Sequence, residues 1–275
     1  MKIDLAGRVA LITGGSDGVG SGCARVFVEA AATVVIAARS ADAGEAFARS
    51  LTATGPGTCQ FVRCDVSDPD ALRDLVDGVV AEHRRLDHLV NNAGQNFGWK
   101  PIDEIAVEDF VRLLGINLVP YFAATKFALP HIRAVRGSIV NIGSIVSETG
   151  FYWSPDYTAT KGAITALTRA LAVDESANGV RINAVLPGNV MTRRRQQIED
   201  EAADGDALHD FMEAWQWLGR SGTPNEVGYA ALFLASEYAS FITGATLTVS
   251  GGVELGFGRK EPFSALIGGT HDGKR

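Results

Sequence analysis

Apolar and polar positions fall along this chain in paired blocks. Arg8-Val9-Ala10-Leu11-Ile12 is a short apolar run ending at Thr13-Gly14-Gly15. Ser21 to Ala31 follows with apolar residues at Ala24, Phe27 and Val28, the spacing of one helical face. The pair then recurs. Thr33-Val34-Val35-Ile36-Ala37 precedes a helical stretch from Ala41 to Ser50, and Gln60 to Asp65 precedes another beginning at Ser67-Asp68-Pro69-Asp70. There Ser67 is the expected cap, Pro69 suits the first turn, and the acids face the positive end of a helix predicted to run to about Arg84. Leu86 to Val90 predicts a fourth strand, ending at Asn91-Asn92-Ala93-Gly94, and one long helix is expected from Val107 through Thr125 and beyond. Further strands are predicted at 137–142, 181–185 and 246–249, with helices at 157–175 and 224–236.

Strands apolar on both faces, each followed by a helix, call for a parallel sheet covered on both sides. Right-handed crossovers then favour a doubly wound order. The expected fold class is α/β: a single-domain Rossmann fold with a doubly wound, parallel, seven-stranded sheet and helices on both faces. One domain is expected over 1–258, followed by a polar, Gly-rich tail over 259–275. The long interruption at 191–222 holds Arg193-Arg194-Arg195, Trp215 and Trp217. An excursion of that length beside a sheet reads as a lid over a ligand.

Charge and cysteine usage narrow the partners. The 275 residues carry a formal net charge of -7, an acidic balance that repels phosphate backbones, so no nucleic-acid partner is expected. Cys23, Cys59 and Cys64 are odd in number and lack paired spacing, which predicts neither disulfides nor a metal site. The first residues show no charged and apolar leader, and no apolar run approaches the ~20 residues of a membrane span. A cytoplasmic protein without membrane contact is the expectation.

Two clusters carry chemistry. In Thr13-Gly14-Gly15-Ser16-Asp17-Gly18-Val19-Gly20, glycines at 14, 18 and 20 permit a tight turn and close approach of a pyrophosphate to the helix that follows. Tyr157 and Lys161 lie four apart, on one helical face, where a cation favours the phenolate and fits Tyr157 for acid–base work. Ser144, near the end of the fifth strand, is placed to hydrogen-bond a substrate oxygen.

Taken in order, the Gly-x-x-x-Gly-x-Gly turn, Asn91-Asn92-Ala93-Gly94, Asn117, Ser144, Tyr157, Lys161 and Pro187-Gly188 resemble the short-chain dehydrogenase/reductase family. The resemblance covers about residues 5 to 255. Asp174-Glu175-Ser176, Pro187-Gly188-Asn189-Val190 and Gly251-Gly252-Val253-Glu254-Leu255-Gly256 are similar to the hydroxysteroid (17-beta, type 14) and bacterial L-fucose-type sugar dehydrogenase branches of that family. It implies an NAD(P)-dependent oxidoreductase that exchanges a hydride between a nicotinamide and a carbonyl or secondary alcohol. It further implies that Tyr157 exchanges the proton, Ser144 polarises the oxygen, Lys161 holds the nicotinamide ribose and lowers the Tyr157 pKa, and Asn117 supports a water chain to Lys161. The cofactor set it implies is Gly14, Ser16, Asp17, Gly18, Val19, Gly20, Arg39, Asp65, Val66, Asn92, Ala93, Gly94, Tyr157, Lys161, Pro187, Gly188, Val190 and Thr192.

NAD-preferring relatives carry an aspartate where Ala38 stands, and Arg39 follows it. A guanidinium pairs bidentately with a phosphate, so NADP(H) is favoured over NAD(H). Asp17, in a position where many NADP-preferring relatives have a base, and Asp42 count against this, and Arg39 can also stack on adenine. The expected substrate is a small carbonyl or alcohol compound, cyclic or hydroxylated, held by Gln95, Asn96, Trp99, Ser144, Phe151, Trp153, Asn189 and Trp215. The Arg193–Arg195 run reads as a solvated face of the lid, or as a site for an anionic substrate. The resemblance also implies a homotetramer built on the long helices (107–129 and 157–175) and the apolar stretch from Phe233 to Val253.

Overall fold

The computed structural model describes residues 3–255; the expected tail at 259–275 and the last residues of the 1–258 domain lie outside the described residues. In chain order the elements are β1 (Val9–Thr13), α1 (Gly18–Glu29), β2 (Thr33–Ala38), α2 (Ala41–Thr54), β3 (Thr58–Arg63), α3 (Pro69–His83), β4 (His88–Asn91), α4 (Val107–Asn117), α5 (Val119–Val135), β5 (Ser138–Ile142), α6 (Val146–Thr149), α7 (Pro155–Glu175), β6 (Arg181–Pro187), α8 (Arg193–Asp200), α9 (Gly205–Glu213), α10 (Pro224–Ala235) and β7 (Thr246–Val249).

All seven strands are parallel, in the order β3-β2-β1-β4-β5-β6-β7. The strand pleat sorts the core. Ala10, Ile12, Val34, Ile36, Val90 and Val140 face α1 and α10, packing on Phe27, Val227, Ala231 and Leu234. Val9, Leu11, Val35, Leu89, Ile139 and Ile182 face the opposite way, onto Leu72, Val76, Ala124, Ala128 and Ile132 of α3 and α5. Successive strand residues point to opposite faces, which is why runs apolar at every position were required.

The strand order reverses between β1 and β4, and ligands of doubly wound sheets bind outside the strand ends at that switch. Register fixes what emerges there. Leu11 pairs with Leu89 and Ile12 with Val90, so the glycine turn after Thr13 and the Asn91–Gly94 turn leave the sheet side by side.

Several local expectations change. The single helix expected from Val107 is two, α4 and α5, meeting at Leu118 (φ -114°, ψ -51°). Pro120, in the first turn of α5, offers no N–H to the preceding turn, which interrupts the helical ladder. The run 107–135 is long and apolar enough to cross a membrane by length and composition, but half of its most apolar window is buried inside this fold. The cap of α3 is Asp68, whose carboxylate accepts from Asp70 N at 2.9 Å and Ala71 N at 3.3 Å, because the Ser67 hydroxyl turns back to Asp65 Oδ1 at 2.8 Å. The 191–222 excursion contains two helices not expected from the sequence: α8, which has no apolar stripe, and α9, whose Leu208, Phe211 and Met212 are spaced as one helical face. Its ends are pinned together: Met191 N donates to Gly222 O (2.8 Å) and Gly222 N to Asn189 O (2.9 Å).

Candidate active site

The switch point opens into a cleft of about 1050 Å³. Its floor is the glycine turn, held rigidly to the end of β4. Thr13 Oγ1 accepts from Asn92 N (3.0 Å) and Ala93 N (3.2 Å), while Asn92 Nδ2 donates to Thr13 O (3.0 Å) and Gly14 O (3.1 Å). Gly14 and Gly18 take φ of +66° and +53°, a region that side chains disfavour. Gly20 does not line the cleft; a Cβ there would sit 2.2 Å from Gly14 O, so its role is to let α1 close against the turn. Asp17 caps α1 through Gly18 N at 2.8 Å. Among the described residues no hydrogen bond engages the N–H groups of Val19 and Gly20. Of the two, Val19 lines the cleft, and an open donor at a helix start, beside a turn that glycine keeps bare, fits the pyrophosphate of a dinucleotide.

Every residue of the implied cofactor set except Gly20 lines this one cleft. Arg39 stands exposed at its edge beside Ala38, and its charge joins the two bonds from Ser67 in holding the Asp65 carboxyl below its usual range. Thr192 Oγ1 caps α8 by accepting from Arg195 N at 3.1 Å. Asp17 is ion-paired with Arg193 of the excursion at 3.0 Å. The arginine run is not one solvated face. Arg193 reaches Asp17, Arg194 lines the cleft, and Arg195 is buried against Glu199. Consecutive helical residues lie ~100° apart, so three in a row cannot share a face.

Tyr157, Lys161 and Ser144 meet in the same cleft. Tyr157 and Lys161 share a face of α7, with Lys161 Nζ 5.6 Å from the Tyr157 ring centre. Burial pushes the Tyr157 phenol up to about 12, and a hydrogen bond with Ser144 pulls it partly back. Burial also pushes the Lys161 ammonium down to about 8. The expectation that Lys161 draws the phenol towards neutral pH is therefore corrected: burial outweighs it. The ammonium is directed to Ile142 O at 3.1 Å, and loss of water disfavours both charges.

The surroundings fix this pair. Tyr121 donates its hydroxyl to the same Ile142 O at 2.8 Å, with its ring 5.7 Å from Lys161 Nζ. A buried polar ladder runs from Thr125 to Asn91 (3.1 Å), Asn91 to Asn141 (2.9 Å) and Asn141 to Thr168 (2.9 Å), tying α5, β4, β5 and α7 together. Asn117 is fully buried, and both its amide protons are used, on Gln95 O (2.9 Å) and Thr160 Oγ1 (3.1 Å), while its Oδ1 accepts from Gln95 N (2.8 Å). Its side chain is a strut under the 94–95 segment. Sequence reasoning missed Tyr121, Thr125, Asn141, Thr160 and Thr168. They sit at helix or strand positions that pattern alone assigns to plain core.

Of the expected substrate residues, Gln95, Asn96 and Ser144 line the cleft; Trp99, Phe151, Trp153, Asn189 and Trp215 do not. Asn189 is engaged with Ser221 Oγ at 2.9 Å. The three segments do converge. Lys100 N donates to Trp153 O at 2.8 Å, and Phe151 meets Trp215 edge-to-face at 5.0 Å between ring centres. Among the described residues no His/Cys/Asp/Glu group is arranged to hold a metal.

Known proteins are similar to this chain in sequence and fold. The family model described as enoyl-(acyl carrier protein) reductase matches residues 14–254. The L-fucose dehydrogenase of Bos taurus is 44% identical over 255 residues, 93% of this chain and 92% of its own length. The meso-2,3-butanediol dehydrogenase of Serratia marcescens is 36% identical over 252 residues, 92% of this chain and 96% of that protein. The L-sorbose reductase of Gluconobacter frateurii, solved with NADPH and L-sorbose, superposes with a TM-score of 0.88 at 27% identity, covering 94% of this chain and 100% of that one.

Proposed function

The chain belongs to the short-chain dehydrogenase/reductase family, oxidoreductases that act with NAD(P) on CH–OH donors, and on that premise we propose that it interconverts a ketone and a secondary alcohol on a cyclic or hydroxylated substrate, running as an NADPH-linked carbonyl reductase. The observation that carries this reading is the meeting of Tyr157, Ser144 and Lys161 in the cleft that Val19, an open donor of α1, also lines. The bound dinucleotide supplies or accepts the hydride. Tyr157 carries the proton to the carbonyl oxygen, and a phenol held near 12 is in the protonated, donating form at neutral pH. Ser144 hydrogen-bonds that oxygen and orients it towards Tyr157. Lys161 holds the ribose and contributes positive charge beside the phenol. Gln95 and Asn96 offer amides to substrate hydroxyls. The aromatic contact of Phe151 with Trp215 closes the substrate side against water, with 191–222 as the lid.

NADP(H) is preferred in this reading because Ala38 leaves no carboxylate to repel a 2′-phosphate and Arg39 stands where one would sit. Asp17, the residue that argued against it, has its charge met by Arg193. The protein is read as a soluble, cytoplasmic homotetramer. Val107, Val111, Val119, Phe122 and Val173 are exposed on the long helices that would pair, and Phe241 is exposed in the C-terminal stretch.

A second reading is NAD-linked oxidation of a sugar, favoured by relatives whose names are L-fucose dehydrogenase. Fluorescence titration with NADH and NADPH, with Arg39→Ala as control, separates the two. Tighter NADPH binding that collapses in the variant supports the reductase, and tighter NADH binding supports sugar oxidation. Tyr157→Phe tests the chemistry itself. Turnover should drop by about 10²–10⁴-fold or more with cofactor affinity unchanged, and turnover that persists would refute Tyr157 as the acid.

A further inference from the structure

Two features of the sequence are not absorbed by the catalytic reading: an aspartate in a turn built for phosphate, and an arginine run at the start of the 191–222 excursion. One contact joins them. Asp17 lies at the cap of α1, directly before the open N–H groups of Val19 and Gly20. Its free oxygen faces the Arg193 guanidinium at 3.0 Å. The cap of α8 lies close by as well. A Cβ on Gly18 would lie 3.6 Å from Thr192 Cγ2, so the side chain that caps the excursion helix faces the glycine turn. Arg193 and Arg194 both line the cofactor cleft, and no ion pair engages Arg194 among the described residues.

We propose that Arg193 is a cofactor-binding residue delivered by the lid, bridging the Asp17 carboxylate and the dinucleotide pyrophosphate so that the lid is clasped over bound cofactor and sets its release. The proposal rests on the dinucleotide reading above and holds for either dinucleotide, since both carry the pyrophosphate. An isolated aspartate two residues before the open donors would repel that group. Paired with Arg193, it instead fixes a cation where two negative charges arrive. Side chains of the pair are partly hydrated, at 70% and 52% exposure. The clasp is therefore weak when the cleft is open and strengthens as the pyrophosphate displaces water from it. Cofactor is then both the ligand of the clasp and its lock, and release requires the α8 end of the lid to lift.

The test is displacement kinetics. Protein loaded with NADPH is mixed with excess NADP⁺ and the decay of bound NADPH fluorescence gives the release rate. Asp17→Asn keeps the helix cap, since asparagine caps as well as aspartate, and removes the ion pair. The clasp requires release to quicken about two- to five-fold, the range of an exposed pair. Arg193→Gln loses the pair and the phosphate contact together and should quicken release about ten-fold or more. The double variant should be no faster than Arg193→Gln alone, because both changes break one linkage. Raised salt should quicken wild-type release more than that of either variant. If Asp17 merely repels phosphate, Asp17→Asn slows release, and that result, or strictly multiplicative effects of the two changes, overturns the proposal. Failure of the wild type to bind NADH or NADPH at all would instead overturn the dinucleotide reading on which it stands.

Discussion

Replacing Lys161 by methionine should make the protein more stable while destroying its activity. Lys161 is 4% exposed, and burial moves its ammonium from 10.5 down to about 8. At 1.36 kcal/mol per decade, this corresponds to about 3 kcal/mol opposing folding at pH 7. Between about 8 and 10.5 the unfolded chain keeps a proton that the folded chain has released, so wild-type stability rises with pH across that window; below about 8 both forms are charged and the cost is constant. Methionine removes the charge and fills similar volume against the Tyr121 and Tyr157 rings. It also forfeits the bond to Ile142 O, worth ~1 kcal/mol, although that carbonyl keeps the Tyr121 hydroxyl at 2.8 Å. The net gain is about 2 kcal/mol, or a Tm increase of roughly 4–8 °C for a domain of this size. Calorimetry at pH 7 and pH 10, at one protein concentration so that subunit association is held equal, should find the gap at pH 7 and its near disappearance at pH 10. A Lys161→Met protein that melts below wild type at pH 7, or a gap unchanged at pH 10, would refute the reasoning. Either result would mean that the buried ammonium is compensated rather than costly.

At the opposite end of the sheet, Asp87 is 1% exposed and accepts from Val9 N (2.9 Å), Arg8 (3.0 Å) and twice from Arg85 (2.7 Å each). Burial pushes its carboxyl up, but these bonds outweigh it and hold it below the ordinary range. The stability it confers is present above pH ~4 and is lost as pH falls through its folded value. Asp87→Asn should lower the urea midpoint by the equivalent of about 2–3 kcal/mol, short of a fully buried pair because both arginines stay partly hydrated, and should flatten the acid limb of the stability curve. Glycines in two helices should respond oppositely to alanine. Gly22 has Pro224 O 2.1 Å from where a Cβ would stand, so Gly22→Ala must push α1 off α10 and lower Tm. Gly78, mid-helix in α3 with nothing within 4 Å, should gain about 0.5–1 kcal/mol as alanine by the same measurement.

The parts of the fold that were legible in the sequence are those where one local pattern has one structural answer. Thr246–Val249 is a strand as bounded, and the i, i+4 spacing of Tyr157 and Lys161 does place both on one face of α7. What escaped depends on partners distant in sequence or on competition between neighbours. Ser67 and Asp68 are both good caps, and the choice between them turns on the Ser67 hydroxyl finding Asp65. α8 reads Arg-Arg-Arg-Gln-Gln-Ile-Glu-Asp, with no apolar stripe to announce it. It is held by Arg195 on Glu199 and by His209 of α9 on the same carboxylate at 3.0 Å. The break at Leu118 was within reach, since Pro120 was visible. A proline in the first turn of a helix implies a helix start, and one long apolar run concealed it.

The phenol is where local pattern and burial disagree most, and the disagreement has a kinetic consequence. Four-residue spacing to a lysine argues for a lowered Tyr157 pKa, yet loss of water dominates and puts the phenol near 12 and the ammonium near 8, favouring the neutral form of each. Carbonyl reduction needs the phenol protonated, a condition met throughout the neutral range. Alcohol oxidation needs the phenolate, of which a group at about 12 supplies only about one part in 10⁵ at pH 7. Oxidative kcat/KM should therefore climb close to ten-fold per pH unit from 7 to about 8 in the free enzyme's profile and level off above that as Lys161 discharges, while reductive kcat/KM stays level to about pH 8 and then falls for the same reason. An oxidative profile already flat at pH 7 would mean that Lys161 does govern the phenol in the working enzyme. The spacing argument would then be right, and burial would not be what sets the proton affinity of Tyr157.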